Sequence, residues 1–592
     1  MRLWRFSVIL LFCALVTSPV FAKRVITVST QTDFDNLTKE LKAVLKTDDD
    51  IVVSFKPGQY EVKERHIDLS GIEASGKCIS FKGNGAVLIP KGRSYRDGEP
   101  YEDPFSVDNS WMLGTDDLEV WSFVKYADGQ VEIINTETKE CRIKSNERFH
   151  QEIDCSNAYI LVTQWFVSGV YKVNKIEGQY IYFIVDDLQA DSYKGGYSIN
   201  NDYNYRKANP RFKLCNVGVN EGCVSVTDGI VHLPKGVESA WEGTTNRFII
   251  ISSSAFERIE ISGFRFYGNS NRKKATALSF SDVTCKSIII KDCEFNGFRS
   301  DVIGIANTPN VTVEGNRFAG CYRHGVQSNN KSVKTIVRNN EFTHMGKGMT
   351  NTSSVSCRGT DFLIADNSFT DYGYCGIGVG EWYKAKKRDL CTGIVENNTL
   401  VFTKPFLDNI ANYGLMDGGA IYLRTKMDGV EVRNNRIDGF SGMAGNRGIY
   451  CDDGAYNFKI IGNVVTGIAN SYCIDSRRVE NVEERNTPGT GIERANVNIE
   501  IRDNVVDGRI RFVGHEDADN GCRIGTNYLL AENDTATVNN IIKQVNTEGS
   551  EQTLVFTGMK KGKLGVARKS YKQMRRMSDW RTIRQHFVRK NK

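Results

Sequence analysis

The stretch TIVRNNEFTH, residues 335–344, holds the pattern that decides the fold. Alternating apolar residues lead into a pair of asparagines, and another apolar residue follows the turn. The pattern occurs nine times, with equivalent apolar residues at Phe266, Phe295, Phe318, Phe342, Phe369, Leu400, Ile437, Val465 and Val506. The successive steps are 29, 23, 24, 27, 31, 37, 28 and 41 residues. A repeat of this kind indicates one supersecondary unit that carries loops of different length.

Each unit contains short runs in which apolar and polar residues alternate. Such runs predict half-buried strands, and one unit is too small to bury a core unless neighbouring units stack on it. The repeat therefore predicts a right-handed parallel β-helix. Asparagine tolerates a tight left-handed turn, and its side chain can bond the equivalent residue of the next coil. We accordingly interpret the asparagines as structural and the apolar residues behind them as a core stack.

The N-terminal part of the chain predicts a cap on this helix. DFDNLTKELKAVLK, residues 33–46, offers Asp33 or Asp35 as an N-cap. It also carries an apolar stripe, so a short helix is expected to cover the open end of the coils. IVVSFKPGQYEV and CISFKGNGAVL then predict the first coils.

The presence or absence of the asparagine pattern predicts the domain divisions of the chain. It is missing between the first coils and Phe248, although alternating strands continue there, which indicates an inserted β-rich domain. The expected divisions are a signal peptide (1–22), the cap and first coils (23–91), the insert (92–242), the main helix (243–545) and a basic extension (546–592).

The first residues, MRLWRFSVILLFCALVTSPVFA, combine a basic start with an apolar run too short to favour a spanning helix. They indicate a secretory signal that is cut after Ala22. No later segment is apolar enough to span a bilayer. We therefore expect a secreted or periplasmic protein without a membrane span.

The charge distribution limits the partners. Residues 559–592 carry 13 Lys and Arg against one Asp, and the signal carries two arginines. Subtracting both from the formal net charge of +6 leaves −8 on the body. A nucleic-acid-binding body is expected to be basic, so no nucleic-acid partner is predicted. The cysteines lack a CxxC pair typical of zinc sites. We expect a monomer that needs neither metal nor cofactor.

Five strands can be aligned by their apolar residues into one face of the stacked coils. They are HGVQSNN, CGIGVGEW, GGAIYLRT, RGIYCDDG and YCIDSRR. If the shared isoleucines point inward, alternation sends Tyr422, Tyr450 and Asp475 outward. The inward residues are then Ile377, Ile421, Ile449 and Ile474.

Acidic residues gather around these strands. Arg424 and Asp452 share the next outward position, Glu381 and Asp453 follow just past it, and Asp417 precedes GGAIYLRT. Adjacent coils lie about 4.8 Å apart, so groups one or two coils apart lie about 5–10 Å from one another. The carboxyl pairs of glycosidases use this range, about 5–5.5 Å in retaining and about 6.5–9.5 Å in inverting enzymes.

This face therefore predicts a groove for an oligosaccharide or polysaccharide substrate. The candidate catalytic residues are Glu381, Asp417, Asp452 and Asp453. The candidate substrate-binding residues, with the tyrosines expected to stack on sugar rings, are His324, Trp382, Tyr422, Arg424 and Tyr450.

Two stretches of the chain resemble a known group of enzymes. MDGGAIYLR (416–424) and RGIYCDDGAYNFKIIGNVV (447–465) are similar to words found in β-helical glycoside hydrolases. The resemblance is closest to the β-xylosidase and fucosidase/xylanase families, and the inserted domain also resembles theirs. It implies catalytic roles for Asp417 and for one of Asp452 and Asp453.

The chain departs from that pattern in two places. Cys451 replaces the more usual aliphatic residue, which is harmless if it faces the core. Asp417 precedes its strand, so an extended chain would hold it far from Asp453. Gly418 and Gly419 must then let the loop fold back, or Glu381 takes its role.

The roles of the carboxylates can be predicted from their surroundings. An ion pair with Arg424 would keep Asp452 charged, which suits a base, a nucleophile or a structural partner. Asp453 or Asp417, if shielded, would then be the better proton donor. The three aspartates are expected within about 10 Å of one another, in one cleft with the two tyrosines.

Two other functions remain open. A polysaccharide lyase would need a basic residue to take a proton next to a uronate carboxylate, and Lys386, Lys387 and Arg388 are candidates. A noncatalytic carbohydrate-binding β-helix would use the long face without chemistry. It would more naturally repeat its aromatic or polar residues along the whole face than confine acidic residues to a few coils.

Overall fold

The structure is a computed structural model, and it describes most of the coil-forming part of the chain. The described residues are 23–46, 50–63, 65–90, 92–95, 132–135, 137–144, 159–164, 167–184, 211–215, 225–227, 230–232, 240–243, 247–268, 276–298, 300–321, 323–346, 352–380, 391–402, 418–423, 429–438, 447–452, 457–468, 472–477, 498–513, 523–529 and 554–556. Within these stretches, no helix is long and apolar enough to cross a membrane.

The chain begins with a capping helix and two coils. These elements are β1 (Lys23–Val28), α1 (Gln31–Val44), β2 (Asp50–Phe55), β3 (Gln59–Val62), β4 (Ile67–Asp68), β5 (Glu73–Lys82) and β6 (Val87–Pro90). The predicted apolar stripe of α1 is buried at Leu37, Leu41 and Val44, as is Phe34. The predicted N-cap was wrong, because Thr30 is the cap. Asp33 occupies the third helical position of a capping box, in which its carboxylate accepts from the Thr30 backbone N–H at 2.9 Å.

The described strands of the insert form antiparallel sheets. They are β7 (Gly92–Tyr95), β8 (Glu132–Asn135), β9 (Glu140–Lys144), β10 (Tyr159–Gln164), β11 (Val167–Glu177), β12 (Tyr180–Ile184), β13 (Arg211–Cys215), β14 (Ser225–Thr227), β15 (Ile230–His232) and β16 (Ala240–Gly243). Strands β8 to β13 build one six-stranded sheet. The first and last strands, β7 and β16, pair with each other, so the insert leaves and rejoins the helix at one place.

The main coils follow in regular order. Their strands are β17 (Arg247–Ser262), β18 (Arg265–Tyr267), β19 (Thr276–Lys291), β20 (Glu294–Asn296), β21 (Ile303–Ala306), β22 (Val311–Glu314), β23 (Arg317–Ala319), β24 (Val326–Ser328), β25 (Ile336–Arg338), β26 (Glu341–Met345), β27 (Ser353–Cys357), β28 (Phe362–Ala365), β29 (Ser368–Tyr372), β30 (Cys375–Val379), β31 (Gly393–Glu396), β32 (Thr399–Val401), β33 (Gly419–Leu423), β34 (Val430–Arg433), β35 (Arg436–Asp438), β36 (Arg447–Cys451), β37 (Phe458–Ile461), β38 (Val464–Thr466), β39 (Tyr472–Arg477), β40 (Glu500–Arg502), β41 (Val505–Val506), β42 (Arg509–Val513), β43 (Arg523–Ile524), β44 (Asn527–Leu529) and β45 (Leu554–Phe556).

Three stacks of parallel strands run along the axis. The first stack contains β21, β24, β27, β30, β33, β36, β39 and β42, and the second contains β22, β25, β28, β31, β34, β37, β40 and β43. The third stack runs from β3 to β45, so it continues past residue 545, where we predicted the main helix to end. The predicted parallel β-helix is confirmed.

The register of the third stack matches the sequence repeat at all nine predicted positions. Phe266 pairs with Phe295, and the pairing continues in order to Val506. The rings of Phe295 and Phe318 stack with centroids 4.8 Å apart, and those of Phe318 and Phe342 are 4.6 Å apart. Because the rings follow the coil spacing, one residue per coil fills the core beneath this stack.

Asparagine side chains form a ladder at the turn between the second and third stacks. Nδ2 of Asn340 donates to Oδ1 of Asn367 at 3.0 Å, and the Asn340 backbone N–H donates to the same oxygen. The second Nδ2 proton goes to the carbonyl oxygen of Val313. The ladder confirms the predicted structural role of these residues, which are Asn316, Asn340, Asn367, Asn398, Asn435, Asn463, Asn504 and Asn527.

The left-handed turn and the ladder belong to two adjacent residues, although we predicted one residue for both. The residue before each ladder asparagine except Asn527, from Gly315 to Asp503, has a positive φ, for example +54° at Asn339. Only Gly, Asn or Asp occupies that place, because these residues tolerate the conformation. The second residue must be Asn, because its amide both accepts and donates along the stack.

Candidate active site

The first stack presents the predicted inward and outward faces. Ile377, Ile421, Ile449 and Ile474 are consecutive partners and belong to the main core. One residue further along, Tyr422 pairs with Tyr450, and Tyr450 pairs with Asp475. The tyrosines form a small cluster with Tyr374 and Cys375, separate from the main core. The alternation therefore holds, and Cys451 faces the core as predicted.

The stack contains three strands that the five aligned sequences did not include. β21 precedes the strand of HGVQSNN. β27 lies between the strand of HGVQSNN and that of CGIGVGEW, and β42 follows the strand of YCIDSRR. The outward positions in register with Tyr422 define the outer column, which reads Ser356, Gly378, Tyr422, Tyr450, Asp475 and Arg511.

Asp452 is held by two tyrosine hydroxyls at the end of β36. The Tyr422 hydroxyl donates to Oδ2 at 2.7 Å, and the Tyr450 hydroxyl donates to Oδ1 at 2.9 Å. The backbone N–H of Asp452 donates to the carbonyl oxygen of Leu423. One hydroxyl donor on each carboxylate oxygen fixes the orientation of the group.

The tyrosines do not have the predicted role of stacking on a sugar ring. Tyr422 is 0% exposed and Tyr450 is 3% exposed. Their rings stack on each other with centroids 5.0 Å apart, and the guanidinium of Arg447 lies 4.0 Å from the centre of the Tyr450 ring. Because the rings pack on protein groups, their contribution to the site is through their hydroxyls.

A buried charged network continues the outer column. Asp475 is 0% exposed and accepts from Nε of Arg447 at 2.8 Å. It also accepts from Nε and Nη2 of Arg511 at 2.6 and 2.5 Å. Burial by itself would lower the pKa of Arg511, but the hydrogen bonds and charge of Asp475 outweigh it and raise that pKa. The guanidinium of Arg511 is therefore charged, and Arg447 connects the network to the ring of Tyr450.

His324 lies away from Asp452. It precedes β24, four coils before β36, a separation of roughly 19 Å along the axis. Its ring is 2% exposed, and Nδ1 lies 2.7 Å from the carbonyl oxygen of Ser353 on the next coil. This placement favours a structural link between coils over the predicted role in substrate binding.

The other candidates lie outside the described residues. They are Glu381, Trp382, Asp417, Arg424 and Asp453, together with Lys386, Lys387 and Arg388 of the lyase alternative. The predicted Arg424–Asp452 ion pair and the predicted cleft of three aspartates therefore stay predictions.

The structure describes the residues next to two of these candidates in the sequence. Gly380, which precedes Glu381, lies at the same end of the first stack as Asp452. Gly418, which follows Asp417, lies at the opposite end of β33. Within the described residues, no group of three His, Cys, Asp or Glu side chains could hold a metal ion.

Sequence reasoning missed Arg447 and Arg511. Both lie at strand positions that the comparison of coils could have identified. RGIYC and RIRFV carry Arg where other coils carry Gly or Tyr. The useful signal was the outward Asp475, because an acidic residue in the middle of a stacked strand needs cations on its neighbours.

Comparisons with known proteins give only remote matches. No protein-family model matches the chain, and no curated protein is similar to it in sequence. A solved "Glycoside hydrolase" is 11% identical with a TM-score of 0.43, covering 89% of this chain and 99% of its own. XylC, solved with xylose, is 9% identical with a TM-score of 0.38, covering 90% and 83%. The Gp54 tailspike of Acinetobacter baumannii bacteriophage AP22, solved with capsular saccharide, is 9% identical with a TM-score of 0.24, covering 85% and 73%. At this distance, the function has to be argued from the site.

Proposed function

We propose that this protein is a secreted or periplasmic glycoside hydrolase. Its substrate lies at the ends of β30, β33 and β36, on the outer side of the first stack. The observation that carries the proposal is the clamped carboxylate of Asp452, whose two oxygens accept from Tyr422 and Tyr450 on adjacent coils. Such clamping is what a group needs when it must meet a reacting carbon or water in a fixed geometry.

In this mechanism Asp452 acts as the ionised member of a carboxyl pair. It accepts hydrogen bonds on both oxygens, so it serves as the base that activates water or as the nucleophile. A second carboxylic acid protonates the leaving oxygen. Glu381, Asp453 and Asp417 are the candidates for that role.

The ends of the strands support Glu381 or Asp453 over Asp417 as the acid. Gly380, the residue before Glu381 in the sequence, lies two coils from Asp452, about 10 Å along the axis. That separation suits an inverting pair better than a retaining one. Asp417, by contrast, precedes a strand whose five residues span about 13 Å. Asp417 reaches Asp452 only if the preceding loop folds back.

A hydrolysis screen tests the proposal. The wild-type protein is assayed for release of reducing sugar from plant and host glycans and from aryl glycosides. Asp452→Asn should lower turnover about 10²- to 10⁴-fold in a protein that still folds cooperatively. The same substitution at Asp438, a carboxylate on the third stack that is 44% exposed, is the matched control and should have no effect.

The screen also separates the candidate acids. Glu381→Gln, Asp417→Asn and Asp453→Asn are assayed singly, and proton NMR of the first product reports retention or inversion. Near-normal turnover in folded Asp452→Asn rejects the site. Glycan binding without any cleavage across the panel supports a carbohydrate-binding β-helix instead.

A further inference from the structure

The outer column ends in a guanidinium that is fixed more firmly than an exposed arginine usually is. Arg511 donates from Nε and Nη2 to the two oxygens of Asp475, which is fully buried. Its guanidinium also lies 4.2 Å from the centre of the Tyr472 ring. The paired hydrogen bonds and the aromatic contact hold the planar group in one orientation.

This fixed group still has donors to offer. A guanidinium carries five N–H groups, and the contacts with Asp475 use Nε and one Nη2 proton. Within the described part of the chain, Nη1 of Arg511 has no hydrogen-bond partner. The side chain is 16% exposed, so part of it is accessible from outside.

A second guanidinium lies beside it. Arg509 is on the same strand, two residues earlier, and its guanidinium lies 4.7 Å from the centre of the same Tyr472 ring. Both guanidinium groups therefore lie against the same aromatic ring. The body of the protein carries −8, so this positive charge is local and does not reflect a generally basic surface.

The position of these arginines fits a neighbouring sugar of the same substrate. Arg511 is two coils from Tyr450 in the outer column, about 10 Å along the axis. Tyr450 donates to Asp452. A glycan that crosses the coils along the axis therefore meets Asp452 and Arg511 with different residues of one chain.

We propose that Arg511 and Arg509 form a subsite for an anionic group of the glycan, a uronic acid carboxylate or a sulfate ester. Both groups present paired oxygens that match the guanidinium fork. The inference rests on the proposed function in that the ligand is the glycan cleaved at Asp452. It names a charged substrate, although the families that the sequence resembles are named for neutral sugars.

Binding measurements test the subsite separately from catalysis. Affinity electrophoresis compares polygalacturonate, dextran sulfate and neutral xylan as probes against the wild-type protein, Arg511→Gln, Arg511→Lys and Arg509→Gln. Arg317→Gln removes the same charge from an exposed ion pair on the third stack and is the control. Arg509→Gln leaves both hydrogen bonds to Asp475 in place, so it keeps the test valid if Arg511→Gln loosens the fold.

The wild-type protein should bind one acidic glycan at least tenfold more tightly than xylan, and less tightly as salt rises. Arg511→Gln and Arg509→Gln should each weaken that binding about 10-fold or more, while Arg317→Gln leaves it unchanged. Arg511→Lys should lose most of it, because an ammonium keeps the charge without the fork. Tighter binding of polygalacturonate or of dextran sulfate shows whether the subsite takes a carboxylate or a sulfate.

Equal binding by the wild-type protein and both Gln variants, or a preference for xylan, overturns the subsite. The proposed function fails by a different route, since folded Asp452→Asn would then keep its turnover. If the acidic glycan is bound at Arg511 and cleaved with a new ultraviolet absorbance, the reaction is a lyase and the subsite stands.

Discussion

The asparagine ladder and the outer column both run along the axis with one residue per coil, and most residues of both are buried. In the ladder every coil uses the same residue and the same bond. In the outer column almost every coil differs, from Ser356 through Tyr422 and Asp475 to Arg511. A column that repeats is explained by stacking alone. A column that changes at successive coils requires a second explanation, and a binding site provides it.

The first test is Asp475→Asn, which should have the largest effect. The change leaves two arginines at a buried site without their carboxylate, at a cost of about 3–5 kcal/mol. Urea unfolding measures the loss. Glu314→Gln, which breaks the exposed Arg338–Glu314 pair, is the matched control and should cost under about 1 kcal/mol. An equal loss in both variants would show that the network is an ordinary surface ion pair.

The second test removes one asparagine of the ladder. Asn398→Leu leaves the N–H and Nδ2 of Asn367 without their acceptor and the carbonyl of Ile364 without its donor. Unsatisfied buried groups of this kind predict a loss of about 3 kcal/mol in urea unfolding. The folded variant should keep its full glycan turnover.

The control is a substitution at Asn397, the residue before Asn398 in the same turn. Asn397 has a φ of +56° and is not one of the ladder asparagines. The free energy of unfolding of Asn397→Gly should therefore stay within about 0.5 kcal/mol of the wild-type value. If both variants lose the same stability, the turn and not the ladder accounts for the asparagine repeat.

The third test separates function from stability within the outer column. Tyr422→Phe removes one hydroxyl from Asp452 and should cost about 1 kcal/mol of stability. Turnover should fall about tenfold or more, because a catalytic group that is poorly oriented loses rate steeply. Tyr60→Phe removes a buried hydroxyl far away, near Val28, and should change stability similarly with turnover intact. A similar turnover in both variants would remove the clamp from the mechanism.

The smallest expected effect concerns two buried thiols that lie next to the two columns. Burial raises the pKa of Cys293 at the start of the ladder, and of Cys357 beside Ser356, to about 12. Neither thiol should react with iodoacetamide at pH 8 in the native protein, and both should react in urea, as peptide mass spectrometry would show. Since the folded pKa is raised from 9.0, the associated stability is complete below pH 9 and is lost as the pH rises towards 12. Native labelling at pH 8 would contradict the packing.

The coils were predictable because their signal is repeated. Each occurrence of the asparagine pattern fixes one register position, and Phe266 to Val506 all pair as aligned. β27 was missed because SSVSC carries only one large apolar residue. Thr30 was missed as the N-cap because Asp33 and Asp35 are equally good caps by composition.

The site was less predictable because its contacts cross coils with loops of different length. Alternation correctly placed Tyr422 and Tyr450 outward, yet it does not say which partner a hydroxyl will find. The pairing of Asp475 with Arg511 spans 36 residues and depends on counting coils correctly. Sequence periodicity gives the direction of a side chain, whereas its hydrogen-bond partner depends on three-dimensional proximity.

The insertion has a consequence for how the chain is made. The second coil pairs with β17 across the insert, and the backbone N–H of Ile72 bonds the hydroxyl of Ser254, 182 residues later. A ribosome adding 5–20 residues per second takes roughly 8–30 s to translate the insert. During that interval the exposed edge of β5 has no next coil, and such edges pair readily with other chains. A nascent chain interrupted before residue 262 therefore exposes a strand edge that β17 covers in the folded protein.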